Sequence, residues 1–432
     1  MVEKKSALAT GESVSKHPKN SAMAWVVAIV MVFATVAIYM ASKKLNPCMA
    51  AIVQGFGMDT AWSGGLGSVY SICSAILLLP LGVLATKFSP KWICAAGLAI
   101  LAVGSFLGAA IVDPGVFYVA RAIEGIGYCV VSAVGGVIIT RWFDEEHRGI
   151  PMGIFTCNVG LGQVAILNTA PQIMKTWGWT GVWVFVGIVA IVALLLVVFA
   201  VKDWPKGGEE DAAKAAAEAA AKAATPKAKI ADSFKVPVFW LLAIMFAAFG
   251  AGMQGTMMFS NMILTQSAGV SNETASLMSS LMSIGQMVGP IIGGAVISLI
   301  AKKCKKYRGW AVCAMFIMAF ACEFSFLAFS TSEMAAWVTS FAMGFLVTWW
   351  APTLYIIAAE HSPSPALQAL GITIFLFGQQ VGGIVGPYIM GWFNAAFGSF
   401  TAAKWLILGI ACVGVAAAVI MAILDKRFVE KQ

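Results

Sequence analysis

The chain has 432 residues, 60% of them hydrophobic and 11% charged, with a formal net charge of +8 and a mean hydropathy of +0.87. So few charges cannot clothe a soluble protein of this length, which excludes a cytoplasmic globular enzyme; the basic excess suits the inner rim of a membrane protein and calls for no nucleic-acid partner. A hydrocarbon core about 30 Å thick takes roughly 20 apolar residues per helix, so the length suits about twelve spans.

In chain order, residues 1–20 form a polar cytoplasmic tail, and the apolar run from Ser21 lacks a small-residue cleavage site and reads as an uncleaved first span. Gly, Pro and charge clusters divide the next stretch into helices at 22–45, 60–84, 91–112, 115–140, 149–172 and 179–202. A second set is expected at 236–264, 273–300, 309–330, 334–359, 365–392 and 400–424. Between them lies a linker over 203–235, charged and alanine-rich at 209–229, which reads as a partly helical solvated segment. The expected organisation is a six-helix bundle over 21–202, a second over 236–424 and a cytoplasmic tail over 425–432. The fold class is an all-α membrane protein of twelve transmembrane helices. Without the linker, 16 Lys and Arg fall on the side of the termini and four on the other, which puts both termini in the cytoplasm.

The halves echo one another. Asp59-Thr60-Ala61 opens the second span and Glu273-Thr274-Ala275 the eighth; Gly153 to Gly160 in the fifth matches Gly371 to Gly378 in the eleventh, with Gln163 and Gln379 nearby. Inverted or parallel repeats of this kind place a binding site near the midplane. None of the nine cysteines has a metal-ligand spacing, and the chain carries no nucleotide loop, HExxH or clustered His, so no catalytic residue, metal or cofactor is expected.

Arg121 and Glu124 are the informative charges, because a charge at depth costs about 2.5–3.5 kcal/mol and survives where it has a partner or a wet cavity. Three residues apart, they share a helix face. They read either as an internal ion pair or as an anion site with Glu124 as the proton-coupling group. Lys43 and Lys44 end the uninterrupted apolar part of the first span and either snorkel outward or, for Lys43, meet a substrate. Tyr39, Asn158, Gln163, Gln286, Trp349 and Gln379 supply neutral polar or aromatic surface near mid-depth, facing either neighbouring helices or the substrate. Glu323 in the ninth span reads as a structural hydrogen bond, and His147 and His361 as solvated loop residues. Gly285-Gln-Met-Val-Gly289-Pro290-Ile-Ile-Gly293-Gly294 reads as close helix packing with a kink at the proline.

On these residues the chain resembles the major facilitator superfamily. Arg121-Ala-Ile-Glu124-Gly125-Ile-Gly127 is similar to its RxxxGxG signature, and Arg141-Trp-Phe with Arg148-Gly149 and Gly153 to its loop between spans four and five. Gly82 to Lys91 occupies the place of the family's acidic inner loop but lacks the acidic residue and second glycine, so that lock is weak or relocated. The Trp25 to Lys43 spacing resembles the monocarboxylate-porter branch, in which a first-span lysine receives the substrate carboxylate; the charged eighth-span pair of that branch is missing. The resemblance implies two pseudo-symmetric six-helix bundles around a central site. The function expected is secondary transport of a small organic anion, by proton coupling or anion exchange, by a monomer in the bacterial inner membrane. A proton-coupled multidrug exporter and a non-transporting membrane sensor are the alternatives.

Overall fold

In the computed structural model, residues 15–111, 113–144, 147, 149–206, 234–363 and 368–430 are described. The first 14 residues, Arg148 and most of the linker (207–233) lie outside them. The described residues are helical with no strand. Eight helical stretches among them are long and apolar enough to cross a membrane.

Three spans differ from the sequence expectation. The first does not stop near residue 45: α1 (Ala22–Lys43) continues through a turn at Lys44 into α2 (Leu45–Phe56). Pro47 falls in the first turn of α2, where its missing N–H breaks no helical bond. After α3 (Thr60–Lys87), α4 (Pro90–Ala110), α5 (Pro114–Trp142) and α6 (Gly149–Thr156), spans five and six run on as α7 (Asn158–Ala200). Their boundary is a bend at Gly178, with φ of 64°. The left-handed conformation there suits glycine. In the second half come α8 (Pro237–Ala268), α9 (Asn272–Cys304), α10 (Arg308–Phe329), α11 (Glu333–Leu346), α12 (Ala351–Glu360), α13 (Gln368–Phe397) and α14 (Ala403–Glu430). The tenth span is therefore broken at Val347 to Trp350.

The chain forms two compact units, one from Met1–Lys44 with Val69–Lys227 and the other from Leu45–Ser68 with Ala228–Gln432. In the first, α1 packs on α5 and α7, and α4 on α5 and α7. In the second, α8 packs on α13 and α14, α10 on α14, and α9 on α11. The start of α3 joins this second unit because it is small and polar: Thr60 donates to the Gly391 carbonyl (2.9 Å) and Ser68 to that of Ile384 (2.6 Å). A Cβ on Gly289 or Gly293 would come within 2.2 Å of the Phe345 carbonyl or 1.9 Å of that of Trp349, so the eighth-span glycine stripe is used for backbone contact with the tenth span.

Acidic residues at the ends of spans six and twelve pin one end of each unit. Asp203 accepts from Ser89 Oγ (2.7 Å) and from the Lys91 backbone N–H (2.9 Å). An acid from the segment after α7 thus holds the start of α4. In the second unit Arg308 donates Nε and Nη2 to Asp425 (3.0 and 2.8 Å). His361 is not solvated: its side chain stacks on Phe428 at 4.1 Å, is 6% exposed and has Nε2 3.8 Å from Asp425.

Candidate functional site

In the first unit, glycines on α4 make the room that a charged cluster occupies. A Cβ on Gly104 would lie 2.8 Å from Glu124 Cγ, and one on Gly108 would lie 2.6 Å from the Trp183 indole. Gly125 and Gly127 on α5 pack against the backbones of Tyr70 and of Gly97 and Leu101, holding the Arg121–Glu124 face against its neighbours. Glu124 is 0% and Arg121 1% exposed. The Arg121 guanidinium bonds Glu124 Oε2 through Nη1, which also donates to the Ala41 carbonyl at 3.2 Å.

The second cation on Glu124 is Lys44. Its Nζ lies 2.5 Å from Glu124 Oε1 and 3.1 Å from Ser105 Oγ, which itself donates to Oε1 at 2.6 Å. Lys44 is 0% exposed and sits 4.3 Å from the Trp183 ring centroid, so snorkelling to the outer headgroups is the wrong picture for it. The reason is local. At the turn between α1 and α2 the side chain points inward, and the carboxylate supplies the countercharge that makes burial tolerable. Lys43 closes α1 half-exposed. Sequence reasoning singled out Lys43 as a substrate contact and named no lysine for Glu124; Ser105 and Trp183 carried no signal of their own.

The triad continues as a row of tyrosines. Arg121 lies over Tyr70 (4.6 Å), and the rings of Tyr70, Tyr128 and Tyr39 follow at 5.4 Å intervals, with the last two hydroxyls hydrogen-bonded. Tyr39 then borders a cavity of about 240 Å³ with Thr35, Ser132, Phe155, Asn158 and Val159. The structure therefore brings Tyr39 and Asn158 together. Gln163 is buried on α7. The remaining expected site residues are in the second unit. Gln286 reaches Met257 Sδ at 3.3 Å, Trp349 donates to the Met315 carbonyl at 3.1 Å, and Gln379 is half-buried on α13.

That unit has its own buried carboxyl. Glu323 on α10 is 1% exposed and accepts from Thr256 Oγ1 at 2.8 Å. No salt bridge to it is seen among the described residues.

The sequence model of the Major Facilitator Superfamily matches residues 31–366 and 261–432. The chain belongs to the Major Facilitator Superfamily. Within it, the chain is 25% identical over 163 residues to a probable L-galactonate transporter of Escherichia coli, a match covering 38% of this chain and 36% of that relative. It is 22% identical over 420 residues, 90% of each chain, to the probable galactarate/D-glucarate transporter GudP of Bacillus subtilis. A bacterial homolog of the human lysosomal transporter Spinster, in an inward-facing and unoccupied conformation, superimposes with a TM-score of 0.69 at 16% identity, over 94% of this chain and 98% of that one. The all-α superfamily fold and multi-pass membrane placement follow from this membership.

Proposed function

We propose that the protein is a secondary transporter of a small organic anion, with Glu124 as the proton-coupling group and Lys44 and Arg121 as its electrostatic attractors. The observation that carries this reading is the charge balance of the buried Lys44–Arg121–Glu124 cluster among the described residues. Two buried cations share one carboxylate, and Arg121 Nε is buried with no hydrogen-bond partner among the described residues. Uncompensated buried charge is expensive, so an anion is the natural complement. Protonating Glu124 would free both cations, so proton and anion binding would reinforce each other, which is what symport requires.

The triad is sealed from solvent, and the small cavity lies elsewhere on the same helices. Arg121 and Ser132 are eleven positions apart on α5, about 16 Å at 1.5 Å per residue. At an effective dielectric near 20, one net charge across that distance contributes about 1 kcal/mol, a several-fold preference for anions over neutral cargo. The relatives named for galactonate and glucarate carry acids, which agrees in sign. We place the protein in a bacterial inner membrane with both termini cytoplasmic.

Purified protein in liposomes, given monocarboxylates, dicarboxylates and lipophilic cations under imposed pH and voltage gradients, tests the reading. Carboxylate accumulation driven by a proton gradient is expected, with Glu124→Gln carrying the anion without response to that gradient. Accumulation of lipophilic cations and of no carboxylate would overturn it.

A further inference from the structure

We propose that the cavity between α1, α5, α6 and α7 is a hydroxyl-recognising subsite, so that the anion carried is a hydroxylated carboxylate, of the sugar-acid class, and not a plain aliphatic acid. The inference rests on the anion reading above for the charge of the cargo, and on the cavity for the rest of it.

Four neutral hydrogen-bonding side chains, Thr35, Tyr39, Ser132 and Asn158, border the space together with Phe155 and Val159. Asn158 decides the chemistry. It is 5% exposed, and its side chain makes no hydrogen bond among the described residues. An amide with no protein partner on the wall of an open cavity is left to bond a ligand, or solvent that the ligand replaces. An amide offers two donors and an acceptor. A carboxylate only accepts and would leave the Asn158 carbonyl idle, and a cation only donates. A hydroxyl does both.

The neighbours agree. The Thr35 hydroxyl already donates to the Met31 and Val32 carbonyls (both 2.9 Å), so its oxygen can only accept. Phe155 and Val159 offer apolar surface for the C–H faces of a polyol chain. At roughly 30 Å³ per water, the cavity holds the equivalent of about eight waters, a small cargo.

The Tyr39–Tyr128–Tyr70 row then connects this subsite to the triad.

The test compares gluconate with hexanoate, two six-carbon monocarboxylates that differ in their hydroxyls, in liposomes holding wild-type protein, Asn158→Leu and Ser132→Ala. Sorbitol serves as a neutral competitor. Wild type is expected to prefer gluconate and to be inhibited by sorbitol, and Asn158→Leu to lower the gluconate-to-hexanoate ratio about tenfold, the size of one hydrogen bond lost to a buried group. Equal transport of the two acids by wild type, or an unchanged ratio in Asn158→Leu, overturns the subsite while leaving anion transport standing. If neither acid is carried, the anion reading fails, and sorbitol decides the subsite separately. A thermal shift of wild type by sorbitol that Asn158→Leu abolishes supports it, and no shift overturns it. Should Asn158→Leu not fold, Ser132→Ala is read by the same ratio.

Discussion

The two units each bury a glutamate at depth, and the two are handled in opposite ways. Glu124 and Glu323 are both at most 1% exposed, and each faces a glycine on a neighbouring helix. A Cβ there would come within 2.8 Å of Glu124 Cγ at Gly104, and within 2.6 Å of Glu323 Oε2 at Gly252. Glu124 then meets Lys44, Arg121 and Ser105, whereas Glu323 meets the single hydroxyl of Thr256. Equal burial thus gives one carboxyl two cations and a hydroxyl, and the other a single hydroxyl with no cation bonded to it among the described residues. At equal depth, the partners differ.

The largest expected effect breaks the first of these sites. Glu124→Leu strands two cations in a buried space, and removing one member of a buried pair costs about 3–5 kcal/mol. Thermal unfolding in detergent should show a large loss of stability or no folded protein. A variant as stable as wild type would mean that Lys44 and Arg121 reach water or another anion, and the contrast would vanish.

The second site is expected to respond to shape more than to charge. Gly252→Ala pushes a methyl onto the carboxyl and should cost about 1–3 kcal/mol, as overpacking does. Combining it with Glu323→Ala should recover part of that loss, a coupling that a double-mutant cycle reads directly. Glu323→Gln keeps an acceptor for Thr256 and should stay within about 1 kcal/mol of wild type. A loss from Glu323→Gln as large as that from Glu124→Leu would reveal a countercharge in the second unit.

The smallest effect concerns pH at the end of that unit where α12 and α14 meet Arg308. Burial holds the His361 imidazole below its ordinary value of 6.5, with Arg308 pushing the same way and Asp425 and Glu360 pulling against it. The unfolded chain therefore takes up a proton that the folded one resists. Stability is full above 6.5 and declines as the pH falls below it. Glu360 is held below its ordinary 4.5, because the attraction of Lys305 and Arg308 outweighs its partial burial, so further acid weakens the same cluster. His361→Phe should flatten the fall in melting temperature between neutral pH and pH 5.5. An unchanged slope would assign that sensitivity elsewhere.

Much of the fold is legible in the sequence because the bilayer imposes it. Apolar runs such as 179–202 and 236–264 must be helices, since lipid satisfies no backbone group. The breaks are less legible. Val347 to Trp350 is apolar and reads as continuous helix, yet the tenth span opens there, and only the contact of Gly289 and Gly293 with its carbonyls marks the place. At the candidate site, the i to i+3 spacing of Arg121 and Glu124 is visible directly. Which of two adjacent lysines completes the triad is not, because it depends on a turn at Lys44 that nothing in Lys43-Lys44-Leu45 announces.

Hydropathy and helical period act within single segments, so the residues alone were enough to read an all-helical membrane protein of the superfamily with a cation and a carboxylate on one helix face. It took the packed helices to show that Lys44 rather than Lys43 meets Glu124, that Asp203 bonds Ser89 and the Lys91 N–H, and that Tyr39 and Asn158 border one cavity. Each of these joins residues far apart in the chain, and the free energy that selects them arises only once helices pack closely enough for charges and hydrogen bonds to find one another in a medium without water.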